Sequence, residues 1–592
     1  MIYKDTSSVP EVDWVYPKQD PKLLATIIKD LHLHPIAAQV FVSRGFGNVD
    51  QIRNFLYVHL SNLHDPNLFL DMPKAVARVL QAKDNHETIM IYGDSDVDGM
   101  TGVTLLVEFF RLIDVKVSYC FLGALLKQHG ETDSLVEKMK ECGVTLLITV
   151  DCGISAGKEV NDIKKHGIDV IITDHHVPTR KIPNCVAILN PKLRGDTYPN
   201  SDITGVGVAF KLARGVLDAL ILRGSVAKNA IDLRKLLDLV ALGTVTDVGT
   251  LLGENRIMVR HGIKEIGKGT RLGLRKLCTF SGVDRMDVTS KDIVLKISPK
   301  LNSLGRLSDP AKGVELLLTR DPKVADSIVT DLDSVNRERQ KIEANVFRDV
   351  QNILKDRKDI VNQAAIVLSS SDWHARVIPI ISARIAKAYN RPVVIIAKEG
   401  GIGKGSLRTI SSFPLLGILQ KCSSLFLSYG GHDFAAGMVI KEDKIEEFRK
   451  KFIHLVNSSL RKVDAQLTLP LDARADFDEI DHDLLSSMDL FEPFGKGNPV
   501  PVFYTVVRQV RYPKLLAGNH VKLYLSHGER NLEGIAFGMG DRVATLKAHW
   551  HHPLEVAYTP RLSPSVSGGV IHLFVRDFHI LPLEEEESRK SF

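Results

Sequence analysis

Apolar and amphipathic segments alternate along residues 71–265. Apolar runs of strand length lie at 89–92, 144–150 and 168–173, and segments with helical spacing lie at 132–142 and 156–166. Strands that alternate with helices in this way usually build a parallel sheet with helices on both faces. The pattern therefore predicts an α/β domain in this part of the chain.

Helical patterns precede and follow this domain. Residues 1–70 contain short amphipathic helices near 23–33 and 35–46, which we interpret as an N-terminal helical cap on the first domain. Residues 266–360 predict a helical linker that includes one long polar helix over 321–355. Its apolar residues form a narrow stripe, as expected for a helix that bridges two domains.

The last third of the chain predicts two further domains. Strands at 364–368 and 392–397 flank a helix at 378–389, which indicates a smaller α/β domain over 361–460. Beyond it the pattern changes to short strands separated by Gly and Asn turns. This change predicts an antiparallel barrel over 461–583, and an acidic tail, 584–592, follows it.

Composition adds the broad class of protein. The chain has 592 residues, of which 44% are hydrophobic and 25% charged, as in soluble globular proteins of about three or four domains. No apolar run approaches the roughly 18 residues that a bilayer crossing needs, and residues 1–5 lack the apolar core of a secretory signal. The six cysteines are scattered without a C-x-x-C pair, which favours free thiols. We therefore expect a cytoplasmic monomer without membrane contact, and the net charge of +6 permits a polyanionic partner without requiring one.

Three carboxylates crowd into the loop that follows the first apolar run. The loop consists of Gly93-Asp94-Ser95-Asp96-Val97-Asp98-Gly99, and an apolar segment with helical character follows it. In open α/β sheets, ligands bind beyond the carboxyl ends of the strands. Clustered carboxylates are tolerated where a divalent cation such as Mg²⁺ or Mn²⁺ shares their charge. By itself the loop is equally compatible with a solvated acidic segment.

Further apolar runs end in the same kind of residue. Asp151 follows the run 144–150, Asp174-His175-His176 follow the run 168–173, and Asp247 follows an apolar segment at 236–245. Core packing does not require a carboxylate at each of these ends, whereas a divalent metal site needs ligands that converge from separate loops. One histidine could bind a metal while the other faces a substrate. The sequence therefore predicts a metal site at one edge of the sheet.

These segments resemble the DHH phosphoesterase family, and the similarity is greatest to its RecJ-type single-stranded-DNA-specific 5′-to-3′ exonucleases. The acidic loop resembles the first family motif, and Asp174-His175-His176 is the triplet that gives the family its name. Further motifs follow in the family's order: 301–306 (LNSLGR), 373–374 (WH) with 382–384 (SAR), Ser406 with Arg408, 430–432 (GGH) with 435–437 (AAG), and 494–499 (FGKGNP). Each motif is weak alone, but their order over most of the chain is specific.

The resemblance implies a fold and an activity. The three domains would be a parallel-sheet DHH domain over 71–265, a DHHA1 substrate-binding domain over 361–460 and an OB-like barrel over 461–583. The activity would be hydrolysis of single-stranded DNA from the 5′ end with two divalent ions, Mn²⁺ or Mg²⁺, in DNA repair and recombination. Single-stranded DNA would be the main partner, with a single-strand-binding protein and a helicase as further partners.

The family motifs also imply the roles of individual residues. The metal ligands would be Asp94, Asp96, Asp98, Asp151, His175 and Asp247. Asp174 and His176 complete the catalytic set: Asp174 would orient a neighbouring histidine and His176 would polarise the phosphate. Arginine forks, a hydroxyl and close backbone amides suit phosphate oxygens. The residues that would bind the substrate in this way are Asn302, Arg306, Arg384, Ser406, Arg408, Gly430, Gly431 and His432.

Three stretches leave alternatives open. The family's Pro-x-Arg and Gly-Tyr-Gly turn are replaced over 121–130 by FLGALLKQHG, where Lys127 and His129 are candidates to supply the missing contact. The basic residues at 254–276 are typical of a solvated helix face and could also line a phosphate track. In the barrel, candidate strand contacts for which core packing is an equal explanation are Tyr504, Tyr512, Tyr524, Lys522 and Arg576.

Two other functions are also considered. One is a small-substrate DHH enzyme that cleaves short oligonucleotides or cyclic dinucleotides. Such relatives usually end after the second domain, so the predicted barrel argues against it. The other is a non-catalytic single-strand-binding scaffold, and the presence of every metal carboxylate argues against that function.

Overall fold

The structure, a computed structural model, describes residues 12–121, 131–178, 181–409, 413, 415–432, 434–460, 468–563 and 570–583. The chain divides into two compact units, one that joins residues 1–59 to 466–592 and one over 60–465. The altered stretch with Lys127 and His129 and the acidic tail lie outside the described residues. Within the described residues, no helix is long and apolar enough to cross a membrane.

Helices and short strands alternate along most of the chain. The helices are α1 (Pro21–Leu31), α2 (Pro35–Ser43), α3 (Val49–Leu56), α4 (Met72–Asp84), α5 (Val97–Leu112), α6 (Glu131–Glu141), α7 (Gly157–Lys165), α8 (Gly205–Leu222), α9 (Leu237–Thr246), α10 (Gly253–Lys268), α11 (Leu272–Phe280), α12 (Ser290–Asp292), α13 (Ser298–Leu307), α14 (Ala311–Leu318), α15 (Pro322–Asp356), α16 (Lys358–Val361), α17 (Ile378–Tyr389), α18 (Leu415–Lys421), α19 (Ile445–Leu460), α20 (His482–Asp489) and α21 (Val543–Ala548). The strands are β1 (Asp13–Val15), β2 (Thr88–Gly93), β3 (Lys116–Phe121), β4 (Val144–Val150), β5 (Asp169–Thr173), β6 (Ala187–Leu189), β7 (Ile366–Ser370), β8 (Val393–Glu399), β9 (Ile402–Arg408), β10 (Phe426–His432), β11 (Ala435–Lys441), β12 (Thr468–Pro470), β13 (Ala473–Arg474), β14 (Phe503–Leu516), β15 (His520–His527), β16 (Arg530–Ala536), β17 (Leu554–Ser563) and β18 (Val570–Ile580).

The first domain is built on a five-stranded parallel sheet of order β3-β2-β4-β5-β6. Its strands are apolar on both faces because helices cover both: α4, α5 and α8 contribute to one core, and α6 and α7 to another. The predicted parallel sheet is therefore confirmed. Adjacent strands end in register, with Gly93 opposite Val150 and Val150 opposite Thr173.

The apolar segment 236–245 does not end a strand as the other runs do. It forms the helix α9, and every residue from Leu237 to Val245 is buried. A helix that is surrounded by protein is apolar on all sides, so its sequence shows no period that separates it from a buried strand. Asp247 therefore follows the C-terminal end of a helix and not the end of a strand.

The predicted long helix is confirmed as α15, which is 35 residues long. Pro322 stands in its first turn, and the side chain of Asp321 accepts a hydrogen bond from the amide of Lys323, which are typical features of a helix start. Its apolar residues join the first domain's core near Leu332 and the second domain's core near Val346. Between these points the buried residues are polar, namely Asn336, Arg339 and Glu343. The helix therefore bridges two cores, as its pattern predicts.

The second domain contains a mixed five-stranded sheet of order β10-β11-β9-β8-β7. β7 and β8 are parallel, and the other neighbours are antiparallel. One apolar cluster includes residues of α17 and α15, and another includes residues of α18 and α19. The smaller α/β domain that the sequence predicts is confirmed.

The N-terminal helices correct one prediction. Instead of capping the first domain, α1, α2 and α3 share a core with the C-terminal barrel. Phe41 stacks on Phe491 with ring centroids 4.6 Å apart, and the Arg44 guanidinium pairs with Asp472 at 2.9 Å. β1 also pairs with β12. The amphipathic pattern predicted burial correctly, but the apolar face packs on residues more than 400 positions away.

The C-terminal barrel is confirmed, but it is not antiparallel throughout, because β16 and β18 are parallel. β14, β15, β16, β18 and β17 are hydrogen-bonded in that order, and the pairing of β14 with β17 closes the sheet. The turn between the first two strands lies at 517–519, where Gly518 and Asn519 adopt positive φ angles of 78° and 63°. β14 extends to Leu516, directly before this turn.

Candidate active site

The carboxyl edge of the parallel sheet brings three aspartates to one line. Asp94, Asp151 and Asp174 are the first residues after β2, β4 and β5. Their amides continue the sheet ladder, donating to the carbonyl oxygens of Val150, Thr173 and Leu189 at 3.2, 2.9 and 3.1 Å. Strand register therefore sets the relative positions of these aspartates.

Asp98 is buried and held by a helix N-terminus. Its Oδ2 accepts a hydrogen bond from the amide of Gly205 at 2.7 Å, and its Oδ1 accepts one from the amide of Val206 at 2.9 Å. These are first-turn amides of α8, which have no partner within their own helix and favour a negative charge. A Cβ at Gly205 would lie 2.5 Å from the Cβ of Asp151, so only glycine fits between the two aspartates. The glycine segment after Thr204 thus orients Asp98.

His175 lies where the carboxylates converge. Its Nε2 is 3.0 Å from Oδ1 of Asp151, 3.7 Å from Oδ2 of Asp247 and 4.0 Å from Oδ2 of Asp98. Two sets of side chains each place three ligand atoms within 4.8 Å of one another: Asp151, His175 and His176 form one, and Asp98, His175 and Asp247 the other. The predicted residues are thus brought together from four separate segments.

Asp174 positions the two histidines. Its Oδ1 accepts hydrogen bonds from the amides of His175 and His176, and it lies 2.8 Å from Nδ1 of His176. Burial works against ionised Asp174, but its contacts with His176 hold the pKa of the carboxyl below its ordinary value. Burial also opposes a charged His176, but the hydrogen bond to Asp174 and its charge outweigh burial and raise the pKa of His176 to about 9. Asp174 therefore faces the imidazole of His176 and the backbone of His175, and not the open part of the site.

The electrostatics of the site fit a divalent cation. Burial, followed by the charge of Asp247, raises the pKa of Asp98 well above its ordinary value. Burial and the charges of four other aspartates do the same for Asp151. Burial and Asp96 raise the pKa of Asp94 to about 6. Carboxylates that are buried together without enough positive charge disfavour ionisation, and a hard cation with oxygen ligands removes that cost.

Asp94, Asp96 and Asp247 form the more open side of the site. Asp94 is half-buried, and Asp96 and Asp247 are exposed. Oδ1 of Asp96 accepts a hydrogen bond from the amide of Gly99 and caps α5, and Asp94 Oδ1 accepts one from the amide of Ser95. Neither Asp94 nor Asp96 belongs to the two compact sets around His175. The described part of the site therefore has a buried side made by Asp98, Asp151 and His175 and an accessible side where a substrate can approach.

Three of the predicted substrate-binding arginines meet in one pocket. Arg306, Arg384 and Arg408 line a pocket of about 420 Å³ together with Lys387. The guanidinium of Arg384 stacks over the ring of Phe347 at 3.9 Å from its centroid. Burial, followed by the charge of Arg306, lowers the pKa of Arg408. Cations this close together favour an anionic ligand.

A second pocket of about 430 Å³ adjoins the first at Arg408. It is lined by residues that include Arg376, Lys404, Ser406, Arg408, Gly431 and Gly437. The buried hydroxyl of Ser406 lies 3.1 Å from that of Ser382 and accepts a hydrogen bond from Arg408 Nη1 at 3.3 Å. Gly430 and Gly431 pair with the neighbouring strand β11, and the side chain of His432 lies outside the described part of the structure.

The structure adds a contact for Asn302 and several residues that the sequence did not single out. Oδ1 of Asn302 accepts a hydrogen bond from the amide of Val97 at 3.1 Å, so this side chain supports the acidic loop. Arg376, Lys387 and Lys404 were not predicted, although Arg376 lies two residues after His374 and Lys387 one helical turn after Arg384.

Two members of the basic run at 254–276 do not form a phosphate track. Arg256 is buried, and the guanidinium of Arg271 forms buried ion pairs with Asp238 and Glu108 at 2.7 and 2.8 Å. Both therefore belong to the interior of the first domain, where a nucleic-acid phosphate cannot reach them.

Comparison with known domain families divides the chain in the same way as the fold. Residues 88–244 match the DHH family, N-terminal domain, residues 362–458 match the DHHA1 domain, and residues 471–565 match the RecJ OB domain.

Two curated relatives share most of the chain. The single-stranded-DNA-specific exonuclease RecJ of Dickeya dadantii is 32% identical over 521 residues, which are 86% of this chain and 90% of that protein. The protein of the same name from Bacillus subtilis is 31% identical over 534 residues. These are 89% of this chain, which spans 66% of the length of the Bacillus relative.

A solved structure agrees with these relatives. The crystal structure of RecJ from Thermus thermophilus in complex with Mn²⁺ has a TM-score of 0.81 at 25% identity, covering 96% of this chain and 80% of that one. The same protein in complex with Mg²⁺ gives a TM-score of 0.74 at 24% identity, covering 96% and 79%.

Proposed function

The chain belongs to the RecJ family, and from that premise we propose that it is an exonuclease that hydrolyses phosphodiester bonds of single-stranded DNA in the 5′-to-3′ direction. The observation that carries the proposal is the convergence of Asp98, Asp151, His175 and Asp247 at the edge of the parallel sheet, with His175 Nε2 3.0–4.0 Å from the three carboxylates. A scaffold that only binds DNA has no need for this buried concentration of negative charge.

Two divalent ions, Mn²⁺ or Mg²⁺, are the proposed cofactors. The residues that would hold them are Asp94, Asp96, Asp98, Asp151, His175 and Asp247. Five of these six are carboxylates, and both metals prefer oxygen ligands. When bound, such ions supply Lewis-acid stabilisation of the phosphoryl oxygens and lower the pKa of a nucleophilic water. The Mn²⁺ and Mg²⁺ complexes of the Thermus relative support the choice of metals.

The protein's own groups orient the reaction. The amides of Gly205 and Val206 fix Asp98, and Asp174 fixes both histidines through hydrogen bonds to their backbone and to Nδ1 of His176. His176, whose Nδ1 lies against Asp174, can donate a hydrogen bond from its other ring nitrogen to a phosphate oxygen as negative charge grows there. Asp174 thus positions the histidines, and His176 is the member of this pair that acts on the substrate.

The basic pockets are proposed to bind the 5′-terminal phosphate and so to set the polarity. Arg306, Arg384 and Arg408 line the same pocket, and Ser406 and Gly431 line the adjoining one. Guanidinium groups, a hydroxyl and an accessible backbone are the groups that bind a phosphate monoester. Recognition of that end would present the first phosphodiester bond to the metal ligands.

The barrel is proposed to hold the single strand and to take no part in the chemistry. Tyr524 lies near the cationic groups of Arg511 and Lys522, at 5.6 and 5.2 Å, and Phe537 stacks on Phe574 at 5.6 Å. Aromatic rings next to cations are the usual means by which OB-folds hold single strands. A single-strand-binding protein and a helicase as partners, a monomeric state and a cytoplasmic location stay predictions.

The test is a nuclease assay on long oligonucleotides labelled at either end, single-stranded or duplex, with Mn²⁺ or with chelator. We expect metal-dependent release of mononucleotides from the 5′ end of the single strand. Faster hydrolysis of a dinucleotide than of a long strand would favour the small-substrate function instead. No hydrolysis with any divalent metal, combined with intact strand binding, would favour the scaffold.

A further inference from the structure

The last turn of α13 is closed by a side chain from the second domain. A helix leaves its final carbonyl groups without partners in its own backbone, and the amide of Ser308 satisfies only that of Leu304. Nη1 of Arg376, in the loop before α17, donates to the carbonyl oxygens of Gly305 and Arg306 at 3.2 and 3.0 Å. A cation at this end also complements the negative end of the helix dipole.

α13 also contacts the acidic loop that carries Asp94 and Asp96. Oδ1 of Asn302 accepts a hydrogen bond from the amide of Val97 at 3.1 Å. Gly305 is so close to the carbonyl oxygen of Ser95 that a Cβ there would collide with it. Ser95 and Val97 alternate with the proposed metal ligands Asp94 and Asp96, so the position of α13 sets the position of both carboxylates.

Arg376 also contacts the substrate side. It lines the pocket that contains Ser406 and Arg408. The residue whose carbonyl it binds, Arg306, lines the adjoining pocket. One side chain thus lies between the proposed phosphate pocket and the helix that supports the metal ligands.

We propose that Arg376 is a positioning residue, which fixes the last turn of α13 and thereby holds Asp94 and Asp96 in place for metal binding. This inference rests on the proposed function, because it assumes that these carboxylates bind the catalytic metals. It differs from a simple phosphate contact in one respect. A phosphate contact affects only DNA binding, whereas a support for α13 also affects metal binding when no DNA is present.

The test is a Mn²⁺ titration by calorimetry on the full chain without DNA. Arg376→Ala should raise the Mn²⁺ dissociation constant about tenfold, since the loss of a charge-assisted hydrogen bond typically has an effect of this size. Arg376→Lys keeps the charge near the carbonyl groups and should recover most of the affinity. The matched control is Lys404→Ala, which removes a cation from the same pocket without touching α13 and should leave Mn²⁺ affinity within twofold, the scatter such measurements tolerate.

A double-mutant cycle tests the route of the coupling. Asn302→Ala removes the contact of α13 with the acidic loop and should also weaken Mn²⁺ binding. If both residues act through α13, the double variant should be about as weak as the weaker single variant, and additive losses would contradict the coupling. Should Arg376→Ala fail to fold, Arg376→Gln and Asn302→Ala give the same comparison.

The outcomes separate this inference from the proposed function. A folded Arg376→Ala protein with wild-type Mn²⁺ affinity overturns the inference, even if its DNA cleavage is weak. A wild-type protein that binds Mn²⁺ but does not cleave single-stranded DNA overturns the proposed function, while the titration still decides the role of Arg376. In the expected case, kcat on single-stranded DNA at limiting Mn²⁺ falls in Arg376→Ala and recovers at high Mn²⁺, which a lost phosphate contact would not show.

Discussion

Replacing Asp94 by Asn should stabilise the metal-free protein while it weakens the bound metal. Burial, followed by the charge of Asp96, raises the pKa of Asp94 from 3.8 to about 6. Each unit of such a rise corresponds to about 1.4 kcal/mol by which folding disfavours the ionised carboxylate. The penalty at pH 7 is therefore about 3 kcal/mol, and Asn removes it. Asn also keeps a side-chain oxygen for the amide of Ser95, which lies 2.5 Å from Asp94 Oδ1.

The sign of the pH dependence follows from the same shift. Because the folded-state pKa is raised, the carboxylate costs stability where it is ionised, and the cost is complete above a pH of about 6. As the pH falls from about 6 towards 3.8, the folded protein takes up its proton first and the cost disappears. The advantage of Asp94→Asn should therefore be full at neutral pH and absent in acid of about pH 4.

The free energy of unfolding is measured by urea unfolding in the presence of chelator. The relevant transition is the one whose midpoint changes when Mn²⁺ is added, because it reports the domain that binds the metal. The control is Asp326→Asn, since this carboxylate is 59% exposed and outside the site, and we expect a change of less than about 1 kcal/mol. At Mn²⁺ concentrations of about 100 times its dissociation constant, the wild type should gain about 2.7 kcal/mol, and Asp94→Asn should gain less. A metal-free Asp94→Asn protein that is less stable than the wild type at neutral pH would refute the electrostatic account of the site.

Three further predictions concern the reaction and the strand. Asp151→Ala should abolish hydrolysis, because it removes a proposed metal ligand. Its affinity for single-stranded DNA, measured by fluorescence anisotropy, should stay within about threefold of the wild type, because the phosphate contacts lie mostly elsewhere. Cleavage at a near-normal rate would contradict the metal assignment. Arg408→Ala should weaken binding of a 5′-phosphorylated strand by roughly 1.5–3 kcal/mol and reduce its preference over a 5′-hydroxyl strand, and an unchanged preference in competition assays would mean that the pocket is misplaced. Deleting residues 461–592 alone should leave an aggregation-prone chain, whereas deleting 1–59 as well should give a protein that cleaves short oligonucleotides but binds long strands weakly at high salt. Equal solubility of the two truncated chains would contradict the shared core.

The position of the candidate metal site could be predicted because it follows largely from the order of the parallel strands. Parallel strands deliver their carboxyl ends to one edge, so the residues after β2, β4 and β5 had to meet if the sheet was right. Asp247 was placed correctly for a partly wrong reason, since it follows a buried helix whose apolar sequence resembles that of a strand. The pattern could not predict which groups each aspartate of the site contacts. That Asp174 faces the histidines and Asp98 faces the amides of α8 depends on side-chain directions, which appear only in three dimensions.

The basic residues show a different limit of sequence reasoning. Neither Arg271 nor Arg376 shows in the sequence what it contacts, yet one forms ion pairs with Asp238 and Glu108 and the other closes a helix beside a cation-lined pocket. The planar guanidinium of an arginine forms strong contacts with the oxygen atoms of carboxylates, carbonyl groups and phosphates, and the sequence does not reveal which of these lies within reach. Family motifs identified Arg306, Arg384 and Arg408, whereas Arg376 emerged only from its distance to two carbonyl oxygens.

The N-terminal segment shows why it is easier to predict that a helix is buried than to predict which surface covers it. The apolar residues of α1 to α3 recur at helical spacing, and this spacing requires only that some apolar surface cover them. The first domain is nearest along the chain, but its parallel sheet already has helices on both faces. The C-terminal region, by contrast, contacts these residues directly. Phe491 stacks on Phe41, β12 pairs with β1, and Asp472 forms an ion pair with Arg44. A segment at one end of the chain therefore completes a domain at the other end, and any deletion that treats the barrel as a separate C-terminal module exposes the apolar face that it shares with these helices.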